Sequence, residues 1–149
     1  REIDAALDLG IFCFNCESVQ ELIVINERAA VKNSVAAVAL RINPGVNAHT
    51  HHYITTGLEE NKFGINPWEL QTILDILPDL VHVKLIGLHF HIGSQITDLQ
   101  PFRSLCVRVN EIQDWLALRN IFLPHINVGG GLGIDYHQPD TNVMPDFAA

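Results

Sequence analysis

The sequence is short of three things, and each shortage narrows what the chain can be. Long apolar runs are missing: nothing in its 149 residues approaches the roughly 20 apolar residues of a membrane span. Positive charge is scarce, with nine Lys and Arg against seventeen Asp and Glu and a net charge of -8. That argues against nucleic acid as a partner, because such proteins present a basic face, and it fits a soluble cytoplasmic protein. Cysteine is scarce and odd in number: Cys13, Cys16 and Cys106 do not make a disulfide framework. The start Arg1-Glu2-Ile3-Asp4 is charged and lacks the apolar core of a secretory signal.

Apolar residues make up 48% of the chain, enough for a core, and the length is that of one ordinary domain. No internal repeat interrupts it. The pattern reads as alternating helices and strands. A helix is expected over 1–9 with Gly10 as its stop, a strand over 11–16, and a helix over 19–30 opened by the capping box Ser18-Val19-Gln20-Glu21. The run from Val35 to Ile42 is apolar on both faces, as a buried parallel strand requires. A long polar loop, 43–65, leads to a helix capped by Asn66 with Pro67 in its first position. Leu70, Ile73, Leu74 and Leu77 form its buried stripe, and Pro78 ends it.

A third strand is expected over 83–92 and a helix over 99–118 capped by Asp98. The apolar face of that helix reads Phe102, Leu105, Cys106, Val109, Ile112 and Leu116. A fourth strand over 125–128 runs into Gly129-Gly130-Gly131-Leu132-Gly133. Alternating β and α elements with buried strands argue an α/β protein with a parallel sheet. An open doubly wound sheet and a (β/α)8 barrel are both open at this point. A barrel takes about 250 residues, so four strands amount to half of one and the chain reads as a fragment.

The glycine loop carries the most chemistry. Four glycines in five positions leave a backbone almost bare, and clustered N–H groups bind anions, above all phosphate. The loop is neither a P-loop, lacking Gly-Lys-Ser/Thr, nor a G-x-G-x-x-G dinucleotide fingerprint. A phosphate cradle at a strand tip stands against a flexible turn.

His89 and His91, two apart on the expected strand, would share a face about 6.7 Å apart. Three readings are open: a metal pair as in barrel hydrolases, a ring stacked on a flat cofactor, and a buried histidine bonded to its neighbours. Ser94 and Gln95 add donors suited to an oxyanion or phosphate. Arg41, a charge in an apolar strand, is expected either to reach an acidic or cofactor group at the tip or to snorkel at the edge. His49, His51 and His52 read as a solvated loop. Cys13 and Cys16, roughly 10 Å apart on a strand, exceed the about 4.4–6.8 Å of a disulfide and read as small buried side chains. No metal site is expected.

Three segments in order carry a family resemblance: Arg41-Ile42-Asn43-Pro44 running on to Glu60-Asn61-Lys62-Phe63-Gly64-Ile65, then Gly87 to Gln95 (GLHFHIGSQ), then Asn127 to Ile134 (NVGGGLGI). Together they resemble the diaminopimelate decarboxylases, pyridoxal 5'-phosphate enzymes of the alanine-racemase-like barrel class. The resemblance covers essentially the whole chain and implies that residues 1–149 are part of the cofactor-binding (β/α)8 TIM barrel, about strands four to seven. It implies that His91 lies over the pyridine ring and that Ser94, Gly129, Gly130, Gly131 and Gly133 hold the phosphate. Arg41 would be a supporting charge near the cofactor, and Lys62 would lie near the interface of a homodimer.

The implied activity is decarboxylation of the amino-acid substrate meso-diaminopimelate to L-lysine and CO2. The family's Schiff-base lysine, on barrel strand one, has no match here, and neither have its strand-eight acidic segment and C-terminal β domain. The expectation is that the complete protein is the enzyme and that this fragment alone is inactive. Two rivals accompany it: a metal-dependent barrel hydrolase using His89 and His91, and a non-catalytic relative of the decarboxylases.

Overall fold

Strands Phe14–Cys16 (β1), Ala36–Arg41 (β2), Val83–His89 (β3) and His125–Asn127 (β4) form one parallel sheet in sequence order. The computed structural model describes residues 1–46 and 63–138. Its helices are Glu2–Leu9 (α1), Val19–Val31 (α2), Leu70–Ile76 (α3) and Gln100–Ala117 (α4). The expected alternation of α and β is thus present, with strand and helix ends shifted by a few residues.

Local chemistry explains most of those ends. Gly10, at φ 61°, closes α1 in the left-handed conformation, and its N–H donates to the Leu7 carbonyl at 3.1 Å. At the start of α2 the Ser18 hydroxyl accepts from the Glu21 N–H at 3.1 Å. The return bond differs from a capping box: the Glu21 carboxylate accepts from the N–H of Glu17, one residue before the cap, at 2.7 Å. Before α3, the Glu69 carboxylate accepts from both the backbone and the side-chain N–H of Asn66 at 2.9 Å. Pro67–Glu69 is a turn of 3-10 helix, so α3 proper is shorter than the expected helix. α4 starts at Gln100 with Leu99, not Asp98, in the cap position; Asp98, one residue before it, accepts from the Gln100 N–H at 2.8 Å.

The core lies on one side of the sheet. Leu22, Ile25 and Ala29 of α2, Leu70 and Ile73 of α3, and Leu105, Val109, Ile112 and Leu116 of α4 pack there with Cys16, Leu40 and Leu88. Within α4 the expected apolar face needs one correction: Cys106 is exposed and Pro101 is buried instead. Helical spacing permits a small residue at the edge of a stripe without requiring its burial. Cys16 is fully buried, and burial pushes its thiol up to about 12. Cys13 is half-buried just ahead of β1, and both cysteines are free.

Register fixes which side chains occupy the other face. Cys16 pairs with Leu40, Leu40 with Leu88, and Leu88 with Ile126, all on the helix side. One residue further, Arg41, His89 and Asn127 lie abreast on the face turned away from the helices. A break in the β2–β3 register after Val38 makes this alignment, since Val38 pairs with Leu85 but Ala39 with Gly87.

Candidate functional site

The third strand ends at His89, not at residue 92 as the apolar run suggested. The ladder continues for one more bond, from the Phe90 N–H to the Asn127 carbonyl at 2.8 Å, and the chain then leaves the sheet. His91 is therefore not a strand neighbour of His89. It belongs to a segment, residues 90–97, that folds over the tip of β4 and meets the glycine loop.

That meeting is close along its length. The Ile96 N–H donates to the Gly131 carbonyl at 2.9 Å, and the Gly133 N–H donates to the Ile96 carbonyl at 2.8 Å. Three glycines make the approach possible; a Cβ on Gly133 would stand 2.8 Å from the Gln95 carbonyl carbon. A Cβ on Gly129 would stand 2.5 Å from the Phe90 carbonyl oxygen and 3.0 Å from His91 Nδ1. One on Gly131 would stand 2.1 Å from the Gly93 carbonyl oxygen. Gly129 and Gly131 have positive φ, 77° and 103°, which side chains of L-residues rarely adopt. At Gly130, by contrast, nothing lies within 4 Å of the added carbon. The loop is thus pinned on one side and bare on the other. The Asn127 side chain shapes its entry by accepting from the Gly129 N–H at 2.8 Å.

The structure brings His91, the segment bearing Ser94, and the 129–133 loop together. Ser94 is exposed between Gly93 and Gln95. Gln95 has a different task from the one its type suggested. Its side chain clamps Ile134, accepting from the N–H at 3.1 Å and donating to the carbonyl at 3.3 Å. Its own φ is 56°, and with these two bonds it fixes the loop.

Arg41 reaches an acidic group, one of its two expected fates. Its guanidinium pairs with the Glu17 carboxylate and lies 5.7 Å from the centre of the Phe63 ring. His89 stands beside Arg41 in the register. Burial lowers its pKa below the ordinary 6.5, and the charges of Arg41 and His91 push the same way, while Glu17 opposes. Its Nδ1 is buried without a hydrogen-bond partner, the one such side-chain atom among the described residues.

Glu17, Phe63 and the clamp of Gln95 were not found from sequence. Glu17 could have been: it follows Cys16 as Arg41 follows Leu40, and parallel register sets the two side by side. His49, His51, His52 and Lys62 lie outside the described residues. Among the described residues, no three His, Cys, Asp or Glu side chains are grouped to hold a metal ion. No described helix is long and apolar enough to cross a membrane.

Comparison with known proteins identifies the family. Residues 1–148 match the family described as "Pyridoxal-dependent decarboxylase, pyridoxal binding domain". A diaminopimelate decarboxylase of Bacteroides thetaiotaomicron is 59% identical over 146 residues, covering 98% of this chain and 38% of that protein. One from Haemophilus influenzae is 45% identical over 148 residues, 99% of this chain and 36% of that protein. The crystal structure of the M. jannaschii diaminopimelate decarboxylase in complex with L-lysine superposes with a TM-score of 0.83 at 38% identity, covering 97% of this chain and 33% of that one. The chain thus spans little more than a third of the length of the relatives it matches, and its parallel sheet is part of their barrel.

Proposed function

The chain belongs to the pyridoxal-dependent decarboxylases, and from that premise we propose that it is the cofactor-binding centre of an enzyme converting meso-diaminopimelate to L-lysine and CO2. One observation carries the proposal: the bare 129–133 backbone and the His91 ring meet at one place above the sheet. The 59% identical relative bears the name of that enzyme, and the M. jannaschii protein was crystallised with L-lysine.

The residues present fit pyridoxal phosphate. The phosphate needs several N–H donors without side chains in the way, and the open space before Gly130 offers that. The pyridine needs a flat neighbour, and the His91 imidazole beside Gly129 is one. In this reading the N–H groups of Gly130 and Gly131, with the Ser94 hydroxyl, hold the phosphate; Gly129 and Gly133, whose own N–H groups donate to the Asn127 side chain and the Ile96 carbonyl, shape the loop around it, and His91 fixes the plane of the ring. Arg41, anchored by Glu17, supplies a positive charge at the level of His89.

When bound, pyridoxal phosphate supplies the electron sink that makes loss of CO2 feasible. The protein's part is to orient, to hold charge and to limit water. Strands β1–β4 take positions four to seven of the barrel. The covalent lysine and the C-terminal β domain belong to parts of the enzyme outside this chain. The complete enzyme is a cytoplasmic homodimer with Lys62 near its interface.

The test is an assay of the full-length protein with meso-diaminopimelate and pyridoxal phosphate. One L-lysine for each CO2 released supports the reading. Cofactor binding without turnover of meso-diaminopimelate would point to a non-catalytic relative and overturn it.

A further inference from the structure

We propose that His89 is a positioning residue: a fixed, neutral imidazole that presents its Nε2–H to an acceptor oxygen of whatever occupies the pocket. The inference rests on the cofactor reading for the identity of that occupant, but its core is a statement about one ring. Leu88 and Phe90 are both in the helix-side core, so His89 between them is turned to the opposite face, the face of Arg41 and Asn127. Packing there occludes Nδ1 and leaves it without a partner, whereas Nε2 is not among the buried unpartnered side-chain atoms of the described residues.

That asymmetry selects the tautomer. A proton on Nδ1 would be a buried donor with no acceptor, the costlier kind of orphan; a lone pair there is the cheaper one. Full protonation would place a proton on Nδ1 as well, so the same occlusion opposes the imidazolium. The charged groups around the ring agree. Arg41 from β2 and His91 beyond β3 disfavour a second positive charge, and Glu17 beyond β1, which favours it, is committed to Arg41. From β4, Asn127 contributes no charge.

A neutral ring with a bare Nδ1 carries its proton on Nε2 and there can only donate. Among the described residues no bond from that proton is seen: Arg41 is a donor, and the Asn127 Oδ1 is engaged by the Gly129 N–H. The acceptor is therefore expected on the ligand, as an oxygen of a carboxylate, phenolate or phosphate. The cofactor and the amino acid both bear such oxygens, and the experiment separates them.

The measurement uses the full-length protein with 15N-labelled histidine rings, loaded with pyridoxal phosphate, the His89 signals being assigned by their loss in His89→Gln. The expected result is an Nε2–H tautomer with a bare Nδ1 and a titration midpoint below the ordinary 6.5. An Nδ1–H tautomer, or a midpoint at or above the ordinary value, would overturn the proposal.

Two variants give the functional arm. His89→Gln sets an amide N–H near the Nε2 position, and His89→Asn reaches only as far as Nδ1. His89→Gln should keep binding within about threefold and His89→Asn should lose about tenfold or more, the scale of one hydrogen bond to a charged acceptor. A loss in cofactor affinity without substrate places the acceptor on the cofactor. A loss only in L-lysine binding to the loaded protein places it on the amino acid. Equal behaviour of the two variants in both titrations would overturn the role. If the wild-type protein binds no pyridoxal phosphate, the cofactor reading falls, and the tautomer measurement on the unloaded protein still judges His89.

Discussion

Gly131 and Gly93 stand so close that a Cβ on the first would lie 2.1 Å from the carbonyl oxygen of the second. The contact locks the glycine loop onto the segment that carries His91 and Ser94. It separates two kinds of glycine in the loop, those that allow the backbone to approach its neighbour and those that leave it bare toward a ligand.

Gly131→Ala introduces both that clash and an unfavourable φ of 103°. The expected cost is about 1–3 kcal/mol of stability, together with weaker cofactor binding. Gly130→Ala meets nothing within 4 Å, so its stability should stay within about 0.5 kcal/mol of wild type while cofactor affinity falls. Urea unfolding and an absorbance titration with pyridoxal phosphate check the pair. Equal losses of stability would contradict the division.

His91 is expected to act through its flat ring. His91→Ala should weaken pyridoxal phosphate binding by about threefold to tenfold, the worth of one stacked pair. His91→Phe should restore most of it. A phenylalanine variant as weak as the alanine one would show that the imidazole nitrogens, not the ring face, matter.

Stability should depend on pH in two separate windows. His89 is lowered from 6.5 in the folded state, so below pH 6.5 the unfolded chain binds more protons than the folded one, and stability rises with pH there. Its contribution is complete above 6.5 and is lost as pH falls through the depressed folded value. Asp4, lowered from 3.8 mainly by its hydrogen bond to Arg28, follows the same sign in a lower window, below 3.8. Unfolding curves from pH 7 to 3 should show the upper limb disappear in His89→Gln and the lower one weaken in Asp4→Asn.

The 149-residue chain made alone should associate with itself. β1 and β4 are the two edges of its sheet, and Phe12 and Phe122 are 70% and 76% exposed. Unpaired strand edges with apolar neighbours recruit other chains. Size-exclusion chromatography over a range of concentrations should show a mass above that of a monomer. A monodisperse monomer at the highest concentration would contradict this.

The sequence disclosed the elements whose signal is local. Ser18, Gly10 and Pro67 punctuate their helices through bonds to near neighbours, and the stripe of α4 needs only a periodicity. The two strand tips were legible too, because polar and glycine-rich ends of apolar runs gather at one end of a parallel sheet. What stayed hidden depends on register and on where a strand stops. The apolar run 83–92 gives no sign that it leaves the sheet after His89. Spacing alone therefore set His89 and His91 on one strand face, whereas His89 is on the strand and His91 lies beyond its end. The pairing of Glu17 with Arg41 needs the alignment of β1 with β2. Gln95 has the residue type of a ligand donor, and only the path of the chain shows that it binds Ile134.

The most direct measurement is a crystal structure of the full-length protein with pyridoxal 5'-phosphate bound. The phosphate should rest on the main-chain N–H groups of Gly130 and Gly131 and the Ser94 hydroxyl, with the pyridine face against His91. A phosphate bound elsewhere, or a ring out of reach of His91, would contradict the shared pocket.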